Sequence, residues 1–81
     1  MPYGEYTQKM EVTVAAGATV TQTNPLGARV PDEVTVVTDS GDSKLVVDNW
    51  SADGTEFDTT NNGAIENTST LILVFRHSLT K

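Results

Sequence analysis

The one imidazole in this 81-residue chain is His77, near the end of its most apolar run. An imidazole can activate a serine if the two lie within hydrogen-bond reach. Serines and aspartates are plentiful here, but no G-x-S-x-G elbow presents a nucleophile. His77 therefore reads as a strand-end residue, structural or at an interface. Four carboxylates, Asp48, Asp53, Glu56 and Asp58, cluster around Trp50. Paired carboxylates can serve as acid and base in glycoside hydrolysis, but so short a chain leaves little room for the cleft that reaction needs. Asp39, Asp42, Asp53, Glu56 and Asp58 lie in or beside loops and could offer oxygen ligands to calcium. The EF-hand order D-x-[DN]-x-[DN]-G is missing, and the simpler reading is a set of charged turns that keep a thin-cored protein soluble. No enzyme activity, cofactor or metal is expected. Carbohydrate binding remains an alternative, with Trp50 stacking on a sugar ring beside Asp48, Asn49, Asn61 and Asn62. Against it, a lone tryptophan in a small domain usually belongs to the core or an interface. The N-x-[ST] triplets at Asn49 and Asn67 read as chance occurrences.

Composition narrows the partners. Five basic residues against eleven acidic ones leave a net charge of −6. Lys9, Arg29, Lys44, Arg76 and Lys81 are scattered, which argues against phosphate contacts and hence against nucleic acid. Cysteine is absent, so neither disulfides nor Cys-ligated zinc can brace the fold. The longest apolar run is Leu71–Phe75, too short for a membrane-spanning helix. Met1–Glu5 shows no basic stretch leading into an apolar one, so no signal peptide is expected. The length suits one domain with a thin core.

Thirteen threonines and ten valines favour strands, because β-branched side chains are stiff and fit a pleated surface. From Tyr6, alternation sets Tyr6, Gln8, Met10, Val12 and Val14 against Thr7, Lys9, Glu11 and Thr13. Gly17 breaks this strand, and Ala18–Thr23 resumes the pattern. Asn24-Pro25-Leu26-Gly27 has the chemistry of a tight turn, and Pro31 precedes a strand over Glu33–Thr38. After the loop Asp39–Asp42, the next strand spans Ser43–Trp50, with Val46, Asp48 and Trp50 on one side. Ser51-Ala52-Asp53-Gly54 reads as a hairpin turn into Thr55–Thr60. Thr59–Ser69 forms a longer polar connection that pins Ile65 beneath it, and Thr70–Leu79 is the last strand. No helix is expected. The fold class is all-β, a small antiparallel sandwich or barrel of about six strands. Residues 1–6 form an N-terminal arm and residues 7–81 the single domain.

The last strand breaks the half-buried pattern. Leu71, Leu73, Phe75 and Leu79 share one side, yet Ile72 and Val74 make the other side apolar too. An antiparallel strand with one wet face should alternate cleanly. Either loops fold over its second face in a closed barrel, or another molecule covers it. The second reading assigns an apolar interface to Ile72, Val74 and Trp50, with Arg76 as a rim charge.

Two stretches also carry a family likeness. Thr19–Thr21 leads through Asn24-Pro25-Leu26-Gly27 into Pro31-Asp32-Glu33-Val34-Thr35-Val36-Val37. Asp53-Gly54-Thr55-Glu56-Phe57-Asp58 leads through an Asn/Gly/Ala loop into Ser69–Ser78. This order resembles the small β-sandwich structural proteins of tailed bacteriophages, among them capsid decoration (cement) proteins and fibre or spike modules. The resemblance spans residues 19–78 and transfers no catalytic or ligand-binding residue. It implies a non-enzymatic virion component that is made in the host cytoplasm. Such a protein would contact the major capsid protein and its own copies, with a trimer favoured, and its N-terminal arm, with Tyr3 and Tyr6, would drape over a neighbour. The alternative it implies is a receptor- or carbohydrate-binding module of a tail fibre or spike.

Overall fold

The computed structural model describes the backbone from Tyr3 to Ser78 and the side chains from Tyr6 to Arg76. Six strands follow in chain order: β1 (Tyr3–Val14), β2 (Thr19–Thr23), β3 (Glu33–Ser40), β4 (Leu45–Asp48), β5 (Glu56–Asn61) and β6 (Asn67–Ser78). They form two three-stranded sheets, ordered β1-β6-β3 and β2-β5-β4. Every pairing is antiparallel, and no helix occurs among the described residues. The all-β class and the count of six strands agree with the sequence pattern.

Alternation decides what goes inside. Leu71, Leu73 and Phe75 project from β6 into a core completed by Val12, Val14, Leu45 and Phe57. Met10, Ala18, Val34, Val36, Val47 and Trp50 pack around these. Of the arm expected over residues 1–6, Met1 and Pro2 lie outside the described residues. Tyr3–Tyr6 are paired, with Tyr3 opposite Ser78 and Tyr6 opposite Phe75. β1 starts earlier than its alternation indicates because β6 is equally long and supplies a partner along its whole length. Leu79 also lies outside the described residues. With twelve residues each, β1 and β6 outreach the shorter strands of the other sheet. The radius of gyration, 13.7 Å, accordingly exceeds the roughly 12 Å of a rounder domain of this length.

Three asparagines are built into the interior. Asn24 donates from Nδ2 to the carbonyls of Arg29 (2.7 Å) and Gly54 (2.8 Å) and accepts the Leu26 N–H at Oδ1. It thereby ties the turn after β2 to the turn before β5. Gly54 has φ +76 and lies so close to the Arg29 backbone that a Cβ would meet it at 2.6 Å. Asn61 donates to the carbonyls of Val14 (3.0 Å) and Ile65 (2.8 Å), and its Oδ1 accepts the Gly63 N–H. Asn67 donates to the Asp42 carbonyl at 2.5 Å and accepts the Ser69 hydroxyl. Among the described residues no buried side-chain polar atom lacks a partner. Such satisfaction matters because an orphaned buried polar group costs more than a made bond contributes.

Several expected boundaries move for identifiable reasons. The polar connection before β6 shrinks to residues 62–66, since Asn61 amide bonds hold its base and Asn67 already pairs with Val14. Ile65 is exposed, not pinned beneath the loop. β4 ends at Asp48 because Asn49 adopts φ 58, a left-handed conformation that asparagine tolerates. That reversal breaks the alternation and turns Trp50 inward, where it stacks on Phe57 with ring centroids 4.4 Å apart. β3 runs on to Ser40 through an irregularity between Thr38 and Ser40.

Two substitutions should expose these dependencies. Asn61→Ala orphans two carbonyls and one N–H, so urea unfolding should show a loss of about 3 kcal/mol. Trp50→Ala should cost about 2 kcal/mol by the same measurement, with β-sheet circular dichroism retained.

Candidate interaction surface

The outer face of the β1-β6-β3 sheet is built by register. Residues directly opposite in antiparallel strands project to the same side. Ile72 stands between Lys9 on β1 and Thr35 on β3, and Val74 between Thr7 and Glu33. Thr70 lies between Glu11 and Val37, which places Val37 diagonal to Ile72. Ile72 and Val74 are half-buried and Val37 is exposed. Flanking side chains within their own sheet shelter them, because the other sheet packs on the opposite side. Among the described residues no third layer covers this face.

The rim carries both signs of charge. Arg76 Nη2 reaches Glu33 Oε1 at 2.7 Å, and the Arg76 N–H donates to Asp32 Oδ2 at 2.5 Å. Arg29 donates to the Arg76 carbonyl and pairs with Asp32 at 3.2 Å. Thr70 donates to Asp39 at 2.8 Å, while Lys9 and Glu11 stand along β1. Exposed pairs such as these contribute little stability, so their effect is to set charge complementarity toward whatever approaches.

The opposite outer face is different in kind. On the β2-β5-β4 sheet, Asp48 lies directly across from Asp58, and Glu56 across from Thr23. Like charges facing across strands repel. Asp58 is compensated by Asn49 Nδ2 at 2.7 Å and Thr21 Oγ1 at 2.8 Å, and these bonds hold its carboxyl below the ordinary value of 3.8. Asp53 is likewise lowered, by the Thr55 hydroxyl and N–H and then by the Ser51 hydroxyl. Among the described residues no three acidic or histidine side chains come together in a way that could hold a metal ion. The loop carboxylates considered as calcium ligands are spread instead: Asp53 organises the Ser51–Thr55 turn, and Asp42 accepts the Ala64 N–H.

The residues assigned to an interface thus separate into groups. Ile72, Val74 and Arg76 share the outer face of one sheet. Trp50 does not join them, because it packs on Phe57 at the core, across β6 from Ile72 and Val74. Tyr6 points to the inner side of β1, near Phe75 at a centroid distance of 6.4 Å, and donates to Gln8 Oε1 at 2.8 Å. Tyr3 is placed by its backbone only, opposite Ser78, and the His77 side chain lies outside the described residues. Of the groups suggested for sugar contact, Asn61 is enclosed and Trp50 gives one ring face to Phe57. Asn67, one of the two N-x-[ST] asparagines, is fully buried. What sequence reasoning missed is Val37, which it left within a strand, and the role of Lys9 and Glu11 as rim charges.

The lowered carboxyls give a signed prediction. Their folded values lie below the unfolded ones, so the stability they add is fully present above about pH 5. It is lost as pH falls below 3.8 and through the depressed folded values. The melting temperature should drop across that interval, and Asp53→Ala with Asp58→Ala should flatten the decline. Comparison with protein-family models, curated proteins and solved structures finds no match to this chain.

Proposed function

We propose that this protein is a non-enzymatic virion structural protein, a capsid decoration (cement) protein that reinforces a bacteriophage shell by protein–protein contact. The supporting observation is the outer face of the β1-β6-β3 sheet. Ile72 and Val74 stand there partly exposed, with Val37 beside them, inside a rim of mixed charge. The Asp48–Asp58 face suits solvent, because a partner docking on it would desolvate two opposed carboxylates. The phage setting is supported by the likeness of residues 19–78 to small virion sandwiches.

Reinforcement of this kind needs no chemistry. A protein that binds the assembled shell and not the free subunit stabilises assembly by mass action, about 2.7 kcal/mol per site at a hundredfold excess over Kd. Burying the exposed part of Ile72 or Val74 would contribute roughly 1 kcal/mol apiece to that contact.

The test is co-sedimentation with assembled shells of the encoding phage, run beside free coat subunits. Binding to shells alone is the expected result. Ile72→Lys with Val74→Lys should abolish it while leaving the circular dichroism spectrum intact. Equal binding to free subunits, or binding indifferent to both substitutions, would remove this reading.

A further inference from the structure

β1 carries a second surface, its free edge. The strand is twelve residues long and, among the described residues, pairs on one side only, with β6. An edge of that length is a template for adding another strand, and proteins commonly blunt such edges with a central lysine. Lys9 occupies that place, but Glu11 follows it on the same face.

Their spacing selects a partner. An added strand must continue the sheet with its core-facing residues beside the core-facing residues of β1. If a second copy of β1 pairs antiparallel with the two-fold axis at Met10, Lys9 stands opposite Glu11 of the second copy, and Glu11 opposite its Lys9. Thr7 then faces Thr13, Gln8 faces Val12, and Tyr6 faces Val14. Sliding the axis to Lys9 sets lysine against lysine, and sliding it to Glu11 sets glutamate against glutamate. Opposite charges facing across strands attract and like charges repel, so one register is favoured and both neighbours are penalised.

The exposure of this flank is a separate observation. Tyr6 lies opposite Phe75 and Val20 opposite Thr59, so both occupy core-facing positions. Phe75 and Thr59 are 1% and 0% exposed, yet Tyr6 is 48% and Val20 38% exposed. On the other flank the core-facing residues of β3 and β4, Val34, Val36, Leu45 and Val47, are buried or half-buried. The flank along β1 and β2 is therefore open at Tyr6 and Val20, while Val12 and Val14 of β1 lie in the core at 4% and 0% exposure.

We propose that β1 is the seam of a two-fold homodimer, in which the β1-β6-β3 sheets of two copies join edge to edge. The pairing satisfies the unpaired backbone of both edges, covers Tyr6, and brings the two β2 edges toward the same axis. A two-fold contact closes on itself, so it yields a dimer and not a fibre. It leaves the Ile72–Val74 face of each copy open on one continuous sheet, and it stands whether or not that face binds a shell.

Sedimentation equilibrium on the full chain tests the seam, with circular dichroism as the control for folding. The parent protein should show a concentration-dependent dimer. Lys9→Glu and Glu11→Lys, each alone, should weaken dimerisation about tenfold, because both symmetry-related pairs turn repulsive. The double exchange Lys9→Glu with Glu11→Lys should restore it, which no contact with a different partner surface would do. A monomer at every concentration up to about 1 mM would overturn the seam, as would a dimer insensitive to the single reversals. Failure of the double exchange to restore the dimer would overturn it too. Ile72→Lys should leave the dimer intact while abolishing shell binding, so loss of the dimer in that variant would instead assign self-association to the outer face.

Discussion

Two layers can bury only one face of each sheet, and this constraint governs the molecule. β6 sits at the centre of its sheet and places Leu71, Leu73 and Phe75 in the core, at 0–1% exposure. The same alternation sends Ile72 and Val74 outward, where side chains of β1 and β3 flank them. A central strand thus presents apolar groups where an ordinary sandwich presents polar ones. The apolar outer face is a consequence of that placement, and its mixed-charge rim distinguishes it from the acidic face on the other sheet.

With so few large side chains, the core is completed by polar groups used as backbone partners. Asn24, Asn61 and Asn67 each bond main-chain groups of a loop or turn that the sheets alone would leave unsatisfied. Thr59 does the same within the second sheet, donating to the Val20 carbonyl and accepting from Gln22. Bonds of this kind contribute modestly when made and cost heavily when broken. The loops are therefore held by specific amides, and the apolar cluster is left to hold the two sheets together.

Charge is sorted by face in a way that net charge conceals. Three of the eleven acidic residues, Asp48, Glu56 and Asp58, line one outer surface. Across the sandwich, Lys9 and Arg76 offset Glu11 and Glu33. Repulsion on the first surface is absorbed locally by Asn49 and Thr21. The second surface carries no comparable repulsion at its apolar centre.

Strand identity, the inward set on β1 and β6, and the turns at Asn24–Gly27 and Ser51–Gly54 were all readable from the chain. Each depends on a period of two or on the φ preference of one or two residues, and both are local properties. The surplus apolar side of β6 was equally plain, and with it the place of Ile72 and Val74 in the candidate surface. Which side Trp50 takes was not readable, because a left-handed Asn49 interrupts the alternation that assigned it to Val46 and Asp48. Nor was the burial of three asparagines, whose partners lie up to 47 residues away in the chain. Which strands became neighbours, which edge stayed free, and which charges came face to face were decided only when distant segments paired. Those outcomes follow from contacts between strands far apart in sequence, and a local pattern carries no record of them.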